Sequence, residues 1–370
     1  MARGIFVTYR GYLERPFGGV QICTQEYINV IRAAGVELMF CTFSGDRRLS
    51  TRILRRFNSS PYFRSVEAAS VDTVCRLAVK ERPMFVFLNQ VDIAPIARHI
   101  RKSLPVGSEI VLLSHGLAST DLLHSIRVRR QFPLSGRERP TAMVALGNAL
   151  MTENALRADI DVVCALSPFD VELEHWLGAK RVGWLPRVVT SAPLDWRPSG
   201  DRVGYIGTLD HAPNLEGLAM VLEQLTPRHS GQLRIRVVGG PDGTGQWLAR
   251  KYPIVDYLGP IDDSALAMEA RSWNAIIHPI FCYARGCSTK LAIAAGWHIP
   301  VVTTTMGYRG YEWRDGGLIV ADDPASFAEE CLRLLNIDVA AEARLRVGQM
   351  ACSSPTVEQN ASRMRALLDL

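Results

Sequence analysis

The chain lacks the features of membrane-spanning and disulfide-stapled proteins. No apolar run reaches the roughly 18–20 residues that a membrane helix needs, and the first residues hold too short an apolar stretch for a secretory signal peptide. The 8 cysteines are scattered without a Cys-x-x-Cys pair, so we expect reduced thiols and no metal site. With 48% hydrophobic and 21% charged residues, the composition excludes disordered and collagen-like classes and predicts a cytoplasmic globular protein.

Positive charge is concentrated in the first half of the chain. Residues 1–190 hold 25 Lys and Arg against 17 Asp and Glu, whereas the remainder holds 17 against 20. Two arginine clusters lie at residues 47–64 and 127–139. The first alternates Arg with Leu, Ile and Phe, which is typical of a helix on an anionic membrane surface, although a solvated basic face also fits. No nucleic-acid-binding motif accompanies the charge, so we expect no nucleic acid partner.

Short apolar runs alternate with amphipathic stretches of helical length. Runs such as 84–89 and 109–116 are apolar on both faces, as in parallel sheets, and the repeated β-then-α order predicts a doubly wound α/β fold. A chain of 370 residues exceeds one ordinary core. The segment 188–202, rich in Pro, Ser and charge, interrupts the rhythm and predicts a linker. We therefore predict two Rossmann-like domains that face a cleft, at residues 1–187 and 203–354.

Ligands of open α/β sheets bind at the carboxyl ends of the strands, and two such ends in the first half are candidates. Gly18 and Gly19 follow the first strand and precede a helix, which lets a phosphate approach a helix N-terminus, although two glycines also make an ordinary turn. His115 follows the strand at 109–116. It is placed to hydrogen-bond a sugar hydroxyl or to act as acid or base, with a structural role as the alternative.

The second half opens with a similar strand end. Gly207 and Thr208 form a glycine turn before a helix, and Asn214 either faces a ligand there or caps that helix. Gly239 and Gly240 end the neighbouring strand, so we expect them to line the same cleft.

The most informative strand end lies within residues 278–310. Gly286, Ser288 and Thr289 precede a helix whose first turn carries Lys290. Free backbone N–H groups, hydroxyls and an ammonium therefore converge at a helix N-terminus, which is the chemistry that a diphosphate requires. The Walker A pattern is absent.

These motifs together resemble a known family. The order strand–Gly-x-Leu–Asn–helix, strand–Gly-Gly, Gly-x-x-x-Lys and then Pro-Val-Val-Thr-Thr-x-x-Gly is similar to that of GT-B glycosyltransferases of the retaining family 4 (group 1) type. The resemblance covers nearly the whole chain and is most specific over 200–325. It implies that the nucleotide of a UDP- or GDP-sugar lies against the second domain and the acceptor against the first. It also implies that the last helix, within 355–370, packs back on the first domain.

The chain departs from the family pattern at two glutamates. The family's ribose-binding glutamate falls on Ile293 here, its partner falls near Arg285, and no Glu occurs from 270 to 311. The diphosphate role of Lys290 carries over, but the ribose contact does not, so Glu312 or a backbone atom would hold the ribose. Arg285 becomes a second candidate for the diphosphate or for an acidic sugar.

The resemblance and the residues together predict the chemistry. Lys290, Arg285 and the N–H groups of residues 288–290 would stabilise charge on the departing phosphate, without a metal or another cofactor. His115 would contact the sugar. A retaining reaction needs no enzymic base, whereas an inverting one would need Glu14, Asp121 or His115.

The predicted function is a glycosyltransferase that moves a sugar from a nucleotide-diphosphate sugar to a glycan or lipid-linked acceptor in bacterial surface polysaccharide synthesis. The basic first domain suggests work at the inner face of the cell membrane. Two alternatives stay open: a sugar-nucleotide-binding protein that has lost transfer, favoured by the missing glutamates, and a GT-B sugar-nucleotide epimerase.

Overall fold

A computed structural model describes most of the chain. The described residues are 2–14, 18–43, 68–136, 138–227, 231, 233–313 and 316–370. The arginine cluster at 47–64, for which a membrane-surface helix is predicted, lies outside the described residues, as does the Arg15–Phe17 part of the first glycine loop. Within the described part, no helix is both long and apolar enough to cross a bilayer.

The first domain is built on a parallel sheet of six strands. Their order is β2-β1-β3-β4-β5-β6. The strands are β1 Ala2–Tyr9, β2 Val36–Phe43, β3 Phe85–Asn89, β4 Glu109–Leu113, β5 Val162–Ala165 and β6 Val182–Trp184. Every residue of β3 and β5 is buried, which explains why these strands are apolar on both faces.

Among the described residues of this domain, six α-helices surround the sheet. They are α1 Gly19–Ala33, α2 Ala68–Glu81, α3 Ala97–Arg101, α4 Ala118–Arg127, α5 Glu138–Arg157 and α6 Pro168–Trp176. Helix α1 stops before Gly35, whose φ of +92° is in the left-handed region that favours glycine.

The second domain repeats this architecture. Its sheet has the order β12-β11-β10-β7-β8-β9, and every strand pair in it is parallel. The strands are β7 Arg202–Ile206, β8 Arg234–Val238, β9 Val255–Gly259, β10 Ala275–His278, β11 Val301–Thr303 and β12 Ile319–Val320. The helices are α7 Ala212–Leu225, α8 Asp242–Lys251, α9 Asp263–Ala270, α10 Thr289–Gly296, α11 Thr305–Tyr308, α12 Pro324–Arg333, α13 Ile337–Cys352 and α14 Val357–Leu367. The two sheets and their helices confirm the predicted pair of Rossmann-like domains.

The last helix returns to the first domain. Met364 of α14 is buried in the cluster that covers one face of the first sheet, together with residues of α1. The Asn360 side-chain amide donates to the Pro186 carbonyl over 2.7 Å, and the Arg365 guanidinium donates to the Ala33 carbonyl over 3.1 Å. The chain therefore crosses between the domains twice. The first crossing is the segment between β6 and β7, and the second leads into α14.

Each sheet has a point where the strand order reverses. It lies between β1 and β3 in the first sheet and between β7 and β10 in the second, and such points are where doubly wound sheets bind ligands. The two edges meet in the structure. A Cβ on Gly116 would lie 2.2 Å from the backbone nitrogen of Gly286, so the domains are closed onto each other at a contact that glycine permits.

Candidate functional site

Lys290 lies at the reversal point of the second sheet. It occupies the first turn of α10, and its ammonium is 5.5 Å from the centre of the Tyr205 ring. A Cβ on Gly207 would lie 2.4 Å from Lys290 Nζ, so the glycine at the end of β7 makes room for the ammonium. A cavity of about 150 Å³ lies at this place, lined by Ser288, Thr289 and Lys290 among others.

The electrostatics of this cavity favour an anion. Burial lowers the pKa of Lys290 to about 7. No ion pair links Lys290 to a carboxylate in the described part of the chain. The Ser288 hydroxyl is buried and has no hydrogen-bond partner among the same residues. An unpaired ammonium, a free hydroxyl and the open N–H groups of a helix start are together complementary to a phosphate.

A second helix start faces this one. Gly18 is the N-cap of α1, and a Cβ on Gly19 would lie 3.3 Å from Thr289 Oγ1. The N-termini of α1 and α10 therefore meet across the cleft, and the partial positive charges of both favour an anion between them. Gly19 lines a second cavity of about 350 Å³ that adjoins the first on the side of the first domain.

Arg285 connects the two cavities. It lines both of them and is partly exposed. Its backbone N–H donates to Asp121 Oδ1 over 2.8 Å, which fixes the loop against the first domain. Arg285 therefore lies beside Lys290 at the junction of the two cavities, and its role as a second phosphate-binding group stays a prediction.

Arg309 shapes the same loop and is a residue that the sequence reasoning missed. Its guanidinium donates to the carbonyls of Ala284, Gly286 and Met306, and it stacks 5.1 Å from the centre of the Tyr283 ring. These bonds hold the 284–286 loop in place, and Arg309 also lines the 150 Å³ cavity, with its buried Nε lacking a hydrogen-bond partner among the described residues. Its position in Gly-Tyr-Arg-Gly, next to the predicted phosphate loop, is the signal that could have identified it.

His115 lines the larger cavity, and its tautomer follows from its neighbours. The Thr24 hydroxyl donates to the Val20 carbonyl over 2.8 Å, so it accepts the 2.9 Å bond from Asn89 Nδ2. The Asn89 oxygen then faces His115 Nε2 at 2.8 Å, and this nitrogen must carry the proton. Burial, together with the charges of Arg285 and Arg187, lowers the pKa of His115 to about 3. His115 is therefore neutral, with Nδ1 as a hydrogen-bond acceptor.

Asp121 joins the two domains through both carboxylate oxygens. Oδ2 lies 3.2 Å from His211 Nε2, and Oδ1 accepts the Arg285 backbone bond. Burial raises the pKa of Asp121, but the bonds from His211 and Arg285 outweigh it and hold the pKa below its usual range. Asp121 is thus an ionised link between the domains. Glu14, another predicted base candidate, is exposed and lines neither cavity.

Of the other predicted residues, Asn214 lines the 150 Å³ cavity, whereas Thr208, Gly239 and Gly240 lie behind the cavities. Asn214 lies inside α7, after the N-cap His211, and its amide donates to the Thr208 carbonyl over 2.9 Å, so Asn214 braces the loop rather than capping the helix. Thr208, Gly239 and Gly240 line neither cavity. Gly239 packs on the end of β7 instead, where a Cβ would lie 2.0 Å from the Gly207 carbonyl oxygen.

The suggestion that Glu312 holds a ribose is not supported. Its carboxylate pairs with Arg363 of α14 at 2.5 Å and lines neither cavity. Glu312 therefore does not replace the ribose-binding glutamate that the resemblance implies. Its carboxylate is already bound by α14, the helix that returns to the first domain.

Acidic residues do not gather at the cleft. The chain has one Asp-x-Asp sequence, Asp159-Ile160-Asp161, which the sequence reasoning overlooked. Asp161 immediately precedes β5, at the opposite end from the cleft, and its carboxylate is bound by Arg101 at 2.5 Å. Among the residues that the structure describes, no group of three or more His, Cys, Asp or Glu could hold a metal ion.

A comparison with known families finds a match within the second domain. The family described as glycosyl transferases group 1 matches residues 200–337. This range contains Gly207, the Gly286–Lys290 segment and Arg309. A comparison with curated proteins found no match.

Solved structures match the chain over its whole length. Sucrose-phosphate synthase from Thermosynechococcus elongatus has a TM-score of 0.66 at 15% identity and covers 100% of this chain and 98% of its own. The Anabaena protein HepE in complex with UDP and glucose has a TM-score of 0.63 at 14% identity, with 100% of both chains covered. The lipopolysaccharide outer core galactosyltransferase WaaB has a TM-score of 0.60 at 13% identity, with 99% of both covered. At these identities the likeness establishes a shared two-domain fold.

Proposed function

We propose that this chain, which has the GT-B fold and matches the group 1 glycosyltransferase family over residues 200–337, transfers a sugar from a nucleoside-diphosphate sugar to a glycan or lipid-linked acceptor. The observation that carries the proposal is the unpaired ammonium of Lys290 at the start of α10. A UDP-linked donor is proposed first, because HepE is described in complex with UDP-glucose, and a GDP-linked donor second.

The proposed step breaks the bond between the anomeric carbon and the β-phosphate oxygen. Negative charge then grows on the departing diphosphate, where Lys290, Arg285 and the α10 N-terminus would stabilise it. His115 accepts a hydrogen bond from a sugar hydroxyl through Nδ1, since Nε2 already donates to Asn89. The acceptor oxygen forms the new bond, and its proton passes to the leaving phosphate.

A retaining reaction fits the residues better than an inverting one. Asp121 is the single carboxylate that lines either cavity among the described residues, and both of its oxygens are already bound. The pKa of about 3 leaves His115 too weakly basic to accept a proton efficiently near neutrality. Without a free base, the leaving phosphate is the group that receives the acceptor's proton. The charge on the phosphate is met by Lys290 and Arg285, so we propose that no metal is required.

A third cavity supports a lipid-linked acceptor. It has a volume of about 600 Å³, lies between α4, α6 and the 282–283 loop, and is lined mainly by apolar side chains. Leu123 and Phe169 are both about 40% exposed there, and Arg127 stands at its edge. A lipid-phosphate acceptor would place its hydrocarbon chain on the apolar surface and its phosphate near Arg127. We propose that the protein works on such acceptors at the inner face of the cell membrane.

The test of donor chemistry is hydrolysis of UDP-, GDP-, dTDP- and CMP-sugars, with release of the nucleotide measured by chromatography. At least one donor should be hydrolysed by the wild type. Lys290→Ala should lower turnover by about 100- to 1000-fold, the usual effect of losing one group that stabilises transition-state charge. The control is Lys180→Ala, at an exposed lysine of the first domain. Wild-type turnover in Lys290→Ala would refute the assignment.

The membrane proposal has a separate test. Binding to vesicles of anionic lipid at low salt should weaken when Arg127, Arg129 and Arg130 are changed to serine, because each arginine near an anionic surface contributes about 1 kcal/mol. Arg197→Ser, at an arginine with an 81% exposed side chain in the linker region, should bind as the wild type does. Vesicle binding that is absent in the wild type would contradict the proposal.

The absence of a ribose-binding glutamate favours one alternative, a protein that binds a nucleotide sugar without transferring it. Ile293 occupies the place of that glutamate on α10. Tight binding of a UDP-sugar with no hydrolysis and no transfer in any of these assays would support this alternative instead.

A further inference from the structure

Gln90 is held in an unusual backbone conformation at the reversal point of the first sheet. It directly follows β3 and has a φ of +88°, which residues with a side chain rarely adopt. Its N–H donates to the Leu113 carbonyl over 3.0 Å, and its carbonyl accepts from the Ile93 N–H over 3.1 Å. The two bonds fix the backbone, so the strain is part of the folded state.

The side chain of Gln90 is buried and unsatisfied. It is 2% exposed, and neither Nε2 nor Oε1 has a hydrogen-bond partner within the described residues. The adjacent Asn89 makes three bonds, to Thr8, Thr24 and His115. A buried amide without partners is uncommon in a folded protein and destabilises it unless something else binds there.

The position of Gln90 shows what could bind. Its side chain lines the cavity of about 350 Å³ together with His115, Asp121 and Arg285, next to the proposed diphosphate site. A carboxamide presents a donor and an acceptor side by side, and two neighbouring hydroxyls of a sugar ring present the same pair in return. A phosphate would satisfy only the donor.

We propose that Gln90 hydrogen-bonds to hydroxyl groups of a sugar ring in this cavity and thereby determines which sugar the protein accepts. The proposal rests on the proposed glycosyltransferase function and deepens it. The fixed backbone then holds the amide in place, and the bound sugar supplies the partners that Nε2 and Oε1 lack. The sugar is either that of the donor or that of the acceptor, and both present the same hydroxyl chemistry.

The central variant is Gln90→Met, which keeps the length of the side chain and removes both polar atoms. It should lower kcat/KM by about 10- to 100-fold, the loss expected for one or two hydrogen bonds. Its thermal midpoint should equal or exceed that of the wild type, because a buried unpaired amide is removed. Gln90→Gly, which relieves the positive φ, should give the same pair of results. Gln349→Met, at an exposed glutamine of α13, is the matched control and should change neither quantity.

Deoxygenated substrates then identify the hydroxyl. For one ring position, the deoxy analogue should be a poor substrate for the wild type but should be no worse than the parent sugar for Gln90→Met. If the effect appears in donor hydrolysis without acceptor, the donor sugar is the one read. If it appears only in the KM of a sugar acceptor, the acceptor is read. Binding of UDP alone, which keeps its ribose but lacks the transferred sugar, should be the same in the variant and the wild type.

Three results would overturn the inference. One is full activity in a folded Gln90→Met variant. Another is an identical pattern of deoxy-sugar discrimination in Gln90→Met and the wild type. The third is a lowered thermal midpoint with equal losses of UDP binding and turnover, which would assign Gln90 a structural role. Failure of the proposed function looks different, because the wild type itself would then release no nucleotide from any donor.

Discussion

Binding of the donor should take up a proton at Lys290. Burial lowers the pKa of the free ammonium to about 7, and no carboxylate among the described residues opposes this effect. A diphosphate within hydrogen-bond distance favours the charged form and should return the pKa towards its usual value near 10. The proton uptake at any pH is the difference in protonation between the free and the bound forms.

The magnitude follows from these two values. With a free pKa of about 7, Lys290 is roughly 10% protonated at pH 8 and about 90% protonated at pH 6. Uptake should therefore be close to 0.9 proton at pH 8, about half a proton at pH 7 and about 0.1 at pH 6. Because the pKa in the free protein is depressed, donor affinity is fully present below pH 7 and falls by about tenfold per pH unit above it.

The assay is titration calorimetry with a UDP-sugar in pairs of buffers that differ in ionisation enthalpy. A UDP-sugar is suitable because both phosphates are diesters and do not titrate near neutrality. His278, which faces the same cavity, does not contribute, since burial and the charges of Lys290 and Arg309 hold its pKa well below the usual range. Lys290→Arg keeps a permanent charge and should abolish the uptake at pH 8.

An equal uptake at pH 8 in the wild type and in Lys290→Arg would refute the reasoning. A wild type that binds the donor with no uptake at pH 8 would show that Lys290 keeps its proton in the free protein, and the desolvation argument would fail.

Three further predictions concern closure and the sugar. Gly116→Ala should hinder the approach to Gly286, because the added Cβ would lie 2.2 Å from the Gly286 backbone nitrogen. We expect kcat/KM to fall by about 100-fold and the radius of gyration from solution scattering to increase. Unchanged kinetics would argue against closure. Asp121→Asn weakens the link to His211 and should shift the population towards the open form. Because the pKa of Asp121 in the folded protein is depressed, the wild-type link should also weaken as pH falls towards that pKa. No loss is expected at neutral pH. His115→Phe removes the Nδ1 acceptor and leaves the Asn89 oxygen unpaired, so turnover should fall by about 10- to 100-fold and unfolding free energy by about 1–3 kcal/mol, measured with denaturant.

Much of the fold could be predicted because its strands are local apolar runs with glycine or polar ends. The run at residues 36–43 is the whole of β2, and the run at 255–259 is the whole of β9. Helix α5 was missed because it buries few side chains, and those include Glu153 and Arg157 rather than a continuous apolar stripe. Its amphipathic pattern is weak for that reason, and its position depends on packing against α4.

The candidate site was predictable only where its chemistry is local. Gly286, Ser288 and Lys290 lie close together in the sequence, around the start of α10. Their proximity in space can therefore be predicted from the sequence. Gln90 could not be found in the same way, because its burial and its positive φ depend on how β3 sits between β1 and β4. Arg309 likewise acts on a loop more than 20 residues earlier in the chain.

Closure of the two domains brings the two halves of the site together, through polar contacts and through the aromatic pairs Phe132–Trp247 and Phe169–Tyr283. Gly116 meets Gly286 through the backbone, and Asp121 binds residues of the second domain through both oxygens. Contacts of this kind are modest in free energy compared with a domain core, so we expect the domains to open without disrupting either core. The cavity of about 150 Å³ at Lys290, where we propose that the diphosphate binds, is walled by loops that these contacts hold. Opening them would release the diphosphate and expose His115 and Gln90 again, which makes domain opening the step that we expect to limit turnover when the acceptor is abundant.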